Sequence, residues 1–184
     1  MFEVRKEAEE RGTNMNLFDI LGPVMVGPSS SHTAGAVRIG LAARRLLGEG
    51  TPKSAEITLF GSFAATGRGH GTDRALIAGL LGYKPDDERI ADSYAWAKGY
   101  GMDVHFEFSK RAAEHPNTAT IKMTGQSGKQ MTMTACSLGG GRIMVTEFNG
   151  LQAKFSCDLP TLIVQNTDQP VTGLNPVAVT TKIL

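Results

Sequence analysis

Residues 119–135 read Ala-Thr-Ile-Lys-Met-Thr-Gly-Gln-Ser-Gly-Lys-Gln-Met-Thr-Met-Thr-Ala, and the fold turns on how this stretch is read. Ala119, Ile121 and Met123 alternate with Thr120, Lys122 and Thr124, and Met131, Met133 and Ala135 alternate with Thr132 and Thr134. A period of two puts every second side chain on one face, so each run is a strand with one dry and one wet side. The pattern extends both ways. Val104, Phe106 and Phe108 alternate with Asp103, His105 and Glu107, and Ile143 and Val145 repeat it downstream. Asn149-Gly150 is the favoured pair for a type I′ hairpin turn into a last strand over 151–157. The expectation is an antiparallel meander with one dry face. Its methionines are core residues, and His105, on the wet face, is solvated.

Upstream the period is helical. Over 33–47, Val37, Gly40, Leu41, Ala43 and Leu47 recur at helical spacing, Arg44 and Arg45 sit near the end, and Gly48 and Gly50 stop the helix. Ala55, Ile57 and Leu59 alternate, so 54–60 is a strand. A glycine-rich connection over 61–74 follows, then a helix to about Leu81 that Thr72 or Asp73 caps and Gly82 ends. Residues 85–100 read as a second short helix with Tyr94 and Trp96 as packing residues. The fold class is α+β, a mostly antiparallel sheet packed with two or three helices.

At 184 residues and a net charge of +1, the chain is long enough for a sizeable core and gives no reason to expect nucleic acid or an anionic membrane. It has no long uncharged apolar run, and its N-terminus lacks a signal-peptide pattern, so a soluble cytoplasmic protein is expected. Cys136 and Cys157 lie far apart without metal-ligand spacing and read as small buried hydrophobes; with two cysteines, the chain lacks the thiolates an iron–sulfur cluster needs. Residues 1–13 are a charged extension, 14–158 the main domain, and 159–184 a linker with an added strand over 161–165.

Two segments carry chemistry. Gly27-Pro28-Ser29-Ser30-Ser31-His32-Thr33 puts a run of hydroxyls and an imidazole at a helix start, where free amides and a partial positive charge suit a carboxylate or phosphate. An ordinary Ser-capped helix with an exposed His is the plainer reading. Gly67-Arg68-Gly69-His70-Gly71 is neither a P-loop nor the dinucleotide fingerprint, yet a strand, flexible loop and helix bring backbone amides close to a ligand. Its plainer reading is a connection whose His caps a neighbouring carbonyl. His115-Pro116-Asn117 is a third polar segment.

GPSSSHT at 27–33, FGSFAATGRGHGTDRALIAGLLG at 60–82, HPNT at 115–118 and SLGGGRI at 137–143 resemble the β chain of the iron–sulfur-dependent L-serine dehydratases (L-serine ammonia-lyases). The resemblance runs from about residue 16 to 169. It implies dehydration of L-serine to aminoacrylate, which yields pyruvate and ammonia. It implies an α-subunit partner that holds a [4Fe-4S] cluster, this chain holding no metal and being inactive alone. An open iron site would act as Lewis acid for the departing hydroxyl and a neutral imidazole would take the Cα proton. Carried over residue by residue, His70 is the base and His32 the second imidazole. Ser29, Ser30, Ser31 and Thr33 hold the carboxylate, and Gly69, His115 and Asn117 line the pocket. The alternative the resemblance allows is a non-catalytic serine-binding module that regulates or assembles the same complex. Apolar surface near the glycine loops is expected to meet the α chain, and self-association is plausible. Related chains continue into a complete ACT domain, whereas here the likeness stops at Pro170, leaving its first strand.

Overall fold

The computed structural model describes residues 24–158 together with Thr161 and Ile163. The alternating runs become strands β1 (Ser54–Leu59), β2 (Asp103–Phe108), β3 (Thr118–Thr124), β4 (Gln130–Gly139), β5 (Arg142–Phe148) and β6 (Leu151–Phe155). They form one six-stranded sheet in the order β2-β1-β3-β4-β5-β6. Strands β3 to β6 are the expected meander, and every neighbouring pair from β1–β3 onward is antiparallel. Asn149 and Gly150 sit at φ 49° and 77°, both positive as a type I′ turn requires.

One expectation needs correction: β2 is not part of the meander. It lies at the sheet edge parallel to β1, with Ile57 opposite Phe106 and Leu59 opposite Phe108. A parallel pair needs a crossover, and the helices between the two strands supply it. At the edge, Val104, Phe106 and Phe108 face the core side but stay half-buried.

The helices are α1 (Ala36–Leu47), entered through a π-helical turn at Ser30–Gly35, then α2 (Gly61–Thr66), α3 (Thr72–Leu81) and α4 (Ser93–Gly99), the last following a 3-10 turn at Glu88–Asp92. Helices α1 and α3 cross where two glycines meet. A Cβ on Gly40 would run into the Leu76 carbonyl, and one on Gly79 into the Val37 carbonyl, so only glycine allows this approach. Below the crossing, Ile39, Leu47, Leu76, Ile77 and Leu80 close over Ile57, Leu59, Ile121, Met123, Met131 and Met133, all essentially inaccessible. Each such side chain contributes roughly 1.5–3 kcal/mol by burial. The methionines are therefore core residues.

Gly48 (φ 79°) and Gly82 (φ 94°) end α1 and α3 in the left-handed conformation. Cationic side chains serve both C-termini: Lys129 Nζ donates to Leu47 O at 2.7 Å, and an Arg44 amine to Leu80 O at 3.1 Å.

Four local expectations also change. The glycine-rich connection is not all loop, since 61–66 is helix α2. Neither Thr72 nor Asp73 caps α3: the N-cap is Gly71 in the left-handed region, Thr72 is buried, and Asp73 lies inside the first turn. Tyr94 and Trp96 are 46 % and 41 % exposed. Cys136 is buried, whereas Cys157 is half-buried; both are free thiols that burial pushes above their ordinary pKa. His105 is exposed as expected. The extension over 1–13 and most of 159–184 lie outside the described residues; of the strand expected at 161–165 only Thr161 and Ile163 are described, and neither is in a strand. Among those residues no helix is long and apolar enough to cross a membrane.

Candidate functional site

Ser29 has extended backbone (φ −138°, ψ 122°) and caps the helix start as N-cap residues do, its Oγ accepting from His32 N–H at 3.2 Å. The first turn is π-helical, a wider winding that in α-helices often marks functional positions. It seats the His32 ring edge-on to Phe63 of α2, with centroids 5.1 Å apart. Strand β1 delivers α2 directly after Leu59, and the turn after α2 carries His70. His70 N–H bonds Thr66 O at 3.1 Å, and the two imidazole centroids lie 5.1 Å apart at an interplanar angle of 49°.

The hydrogen bonds around His32 select its tautomer. Thr66 Oγ1 gives its own proton to Ser62 O at 2.9 Å, so at 3.1 Å it accepts from His32 Nε2–H. Ser62 Oγ lies 3.3 Å from the same nitrogen. Nδ1 is then the acceptor, facing the Ser29 hydroxyl at 3.4 Å. Burial and, next, the His70 ring hold His32 below the ordinary imidazole pKa, against a smaller upward pull from a hydrogen bond to the Ser62 backbone. His32 is thus neutral at pH 7 with both nitrogens engaged. His70 is exposed, and its ring makes no hydrogen bond to a described residue.

The other expected residues divide. Ser30 and Ser31 are half-buried on the π turn, and Ser31 Oγ lies 3.7 Å from where a Cβ on Gly139 would sit. Thr33 is buried, packing its hydroxyl back against Gly27. Gly69 is exposed beside His70. His115 and Asn117 are not in ring contact or hydrogen-bonded with the imidazole pair. His115 Nδ1 accepts from Asn117 N–H at 3.1 Å, closing its own turn, and that turn touches α2 through Phe63 N–H to Pro116 O at 3.3 Å. Asn117 Oδ1 is buried without a hydrogen-bond partner among the described residues, as is Ser137 Oγ on β4. The two residues are adjacent, Ser137 N–H donating to Asn117 O at 2.9 Å, and Ser137 Oγ presses on Gly35, where a Cβ could not fit.

Ser62, Thr66 and Ser137 are the members that reading the sequence missed. The first two are spaced four apart directly after a strand, a signal visible only once 61–66 is taken as helix. Beyond the imidazoles, Tyr94 Oη donates to Asp73 Oδ2 at 3.0 Å, while Asp73 Oδ1 accepts from Arg74 N–H at 2.9 Å. Burial first, then the Asp73 carboxylate, push the Tyr94 hydroxyl up to about 12, so it remains a donor. Among the described residues no three His, Cys, Asp or Glu side chains converge to hold a metal ion. Two cavities, about 340 Å³ beside Arg45 and Lys129 and about 290 Å³ beside Glu107 and Arg111, have none of this cluster's residues in their lining.

Fold and site together define a two-layer α+β protein with a hydroxyl-lined helix start and two neighbouring imidazoles, of which His32 alone is hydrogen-bonded through its ring among the described residues. The family model described as serine dehydratase beta chain matches residues 16–99, which include both imidazoles. The chain is 45% identical over 154 residues to the probable L-serine dehydratase, beta chain, of Bacillus subtilis (strain 168), covering 84% of this chain and 69% of that one. It is 38% identical over 158 residues to the L-serine dehydratase, beta chain, of Peptoniphilus asaccharolyticus, covering 85% and 71%. L-serine dehydratase TdcG of Escherichia coli (strain K12) is 31% identical over 169 residues, but only 37% of its length is covered. The chain belongs to the serine dehydratase beta chain family.

Proposed function

We propose that this chain is the β subunit of a cytoplasmic L-serine ammonia-lyase, supplying the acid–base and substrate-holding half of a site that an α subunit completes. In this reading the α subunit holds a [4Fe-4S] cluster, which would supply the Lewis acid for the departing hydroxyl. Among the described residues no three His, Cys, Asp or Glu side chains gather to hold a metal, and the roles assigned to this chain use its own groups.

The observation that carries the reading is the unequal imidazole pair. His32 is spent on hydrogen bonds to Ser29 and Thr66, while the ring of the neighbouring His70, 5.1 Å away, has no hydrogen bond among the described residues. The substrate carboxylate lies at the helix start, where Ser29, Ser30 and Ser31 and the dipole favour negative charge. His70 takes the Cα proton. The C–H electron pair forms the Cα=Cβ bond, the Cβ–O bond breaks, and the leaving hydroxide ends as water once protonated. The aminoacrylate that remains tautomerises and hydrolyses to pyruvate and ammonia. Neutral His32, engaged with Ser29 and Thr66, ties the serine turn to α2 beside His70 without adding a second positive charge when His70 becomes protonated.

The test is His70→Ala, reconstituted anaerobically with the cluster-bearing chain and assayed for pyruvate. Turnover should fall by at least roughly a hundredfold, the low end for a general base, with assembly and serine affinity near normal. Retained turnover would instead identify a serine-binding regulatory or assembly module of the same complex.

A further inference from the structure

We infer that Arg68 and Tyr94 are positioning residues for His70, fastening the two ends of its turn to the aromatic row of the edge strand and thereby setting the spacing of the imidazoles. The inference rests on reading His70 as the proton carrier. Among the described residues the His70 ring has no hydrogen-bond partner to orient it, so its place depends there on the turn over 67–71.

That turn is held from both sides. Upstream of His70, the Arg68 guanidinium lies over the Phe108 ring, 4.6 Å from its centroid. Downstream, Asp73 is held by the Tyr94 hydroxyl at 3.0 Å, and the Tyr94 ring packs 6.3 Å from Phe106. Phe106 and Phe108 are themselves 6.4 Å apart on one face of β2. Both fastenings therefore end on the same two phenylalanines. The parallel register is what makes this possible, because it sets Phe108 opposite Leu59, where β1 gives way to α2 and the His70 turn. The strand that departs from the meander is the one that braces His70. Neither Arg68 nor Tyr94 contacts the imidazoles directly, and a small displacement of a reacting group is costly to rate.

Three variants test this in the complex reconstituted with the cluster-bearing chain, with histidine side-chain NMR on this chain as a second readout. Tyr94→Phe removes one hydroxyl and keeps the ring; Arg68→Ala removes the cation; Arg68→Lys keeps a cation for the ring. Tyr94→Phe and Arg68→Ala should each lower kcat about tenfold with KM within about twofold, the pattern of a misplaced group and not of lost substrate binding. Arg68→Lys should recover most of the loss. In the first two variants the His32 titration should move up toward the ordinary range as His70 withdraws. Wild-type kcat in both overturns the inference, and so does a loss of kcat with the His32 titration unmoved, which marks general damage to the fold. If His70→Ala keeps its turnover, the catalytic reading falls by itself, and the His32 titration still judges the bracing.

Discussion

His32 shows how one side chain's surroundings assign its role. A Ser at the helix start and a Thr on the facing helix occupy its two nitrogens, and the nearby His70 ring opposes its protonation. A histidine whose folded pKa lies below its unfolded value, roughly 6.5, binds fewer protons folded than unfolded just below that pH. Its contribution to stability is therefore complete above about pH 6.5 and is lost as pH falls through the folded value. Urea unfolding of wild type and His32→Gln at pH 7.5 and pH 5 should show a smaller acid loss in the variant. Equal losses would mean that His32 is not held neutral. Both imidazoles were legible in the sequence because glycine, proline and serine gather around them. Their hydrogen-bonding partners were not, since Ser62 and Thr66 gain meaning only from a helix that forms inside a glycine-rich run. The motif of His115 and Asn117 gave membership in the family, but not that His115 Nδ1 accepts from Asn117 N–H within their own turn.

The elements were legible to the extent that periodicity alone decides them. A period of two identifies a strand and its dry face but not its neighbour. The meander from β3 to β6 followed because short turns force adjacent strands to pair, whereas β2 is separated from β1 by three helices and could take either sense. The π winding of Ser30–Gly35 has no sequence period of its own, and its close approach to Ser137 of β4 at Gly35 is equally invisible in the sequence. The crossing of α1 and α3 makes an element-scale prediction. In Gly79→Ala the new Cβ meets the Val37 carbonyl, and a backbone atom within a packed helix cannot step aside as a side-chain end can. Overpacking of this kind costs about 1–3 kcal/mol, to be read as a lower urea midpoint with an unchanged slope. An unchanged midpoint would mean that the helices separate freely, and the glycine pair would not be what fixes their distance.

At the scale of the whole molecule, the sheet has two very different sides. The helices cover one; the other presents Glu56 paired with Lys122 and a Thr120–Thr134 hydroxyl contact to solvent, a surface already suited to water. Around the imidazoles the exposure is of another kind. His70 is open, and Leu138 is 43 % exposed near the end of β4, next to Gly139, which lies close to Ser31. An elimination passing through a reactive enamine gains from exclusion of water, and His70, the base proposed for it, is exposed in this chain. The α subunit proposed above should therefore cover the imidazole rim and not the bare sheet. Hydroxyl-radical footprinting of the chain, free and in complex, reads this directly. His70 and Leu138 should lose labelling on assembly, while Tyr100, 53 % exposed at the C-terminal end of α4, should keep it. Protection of Tyr100 with His70 still labelled would place the partner elsewhere and leave the imidazoles in water, where a half-site awaiting completion makes no physical sense.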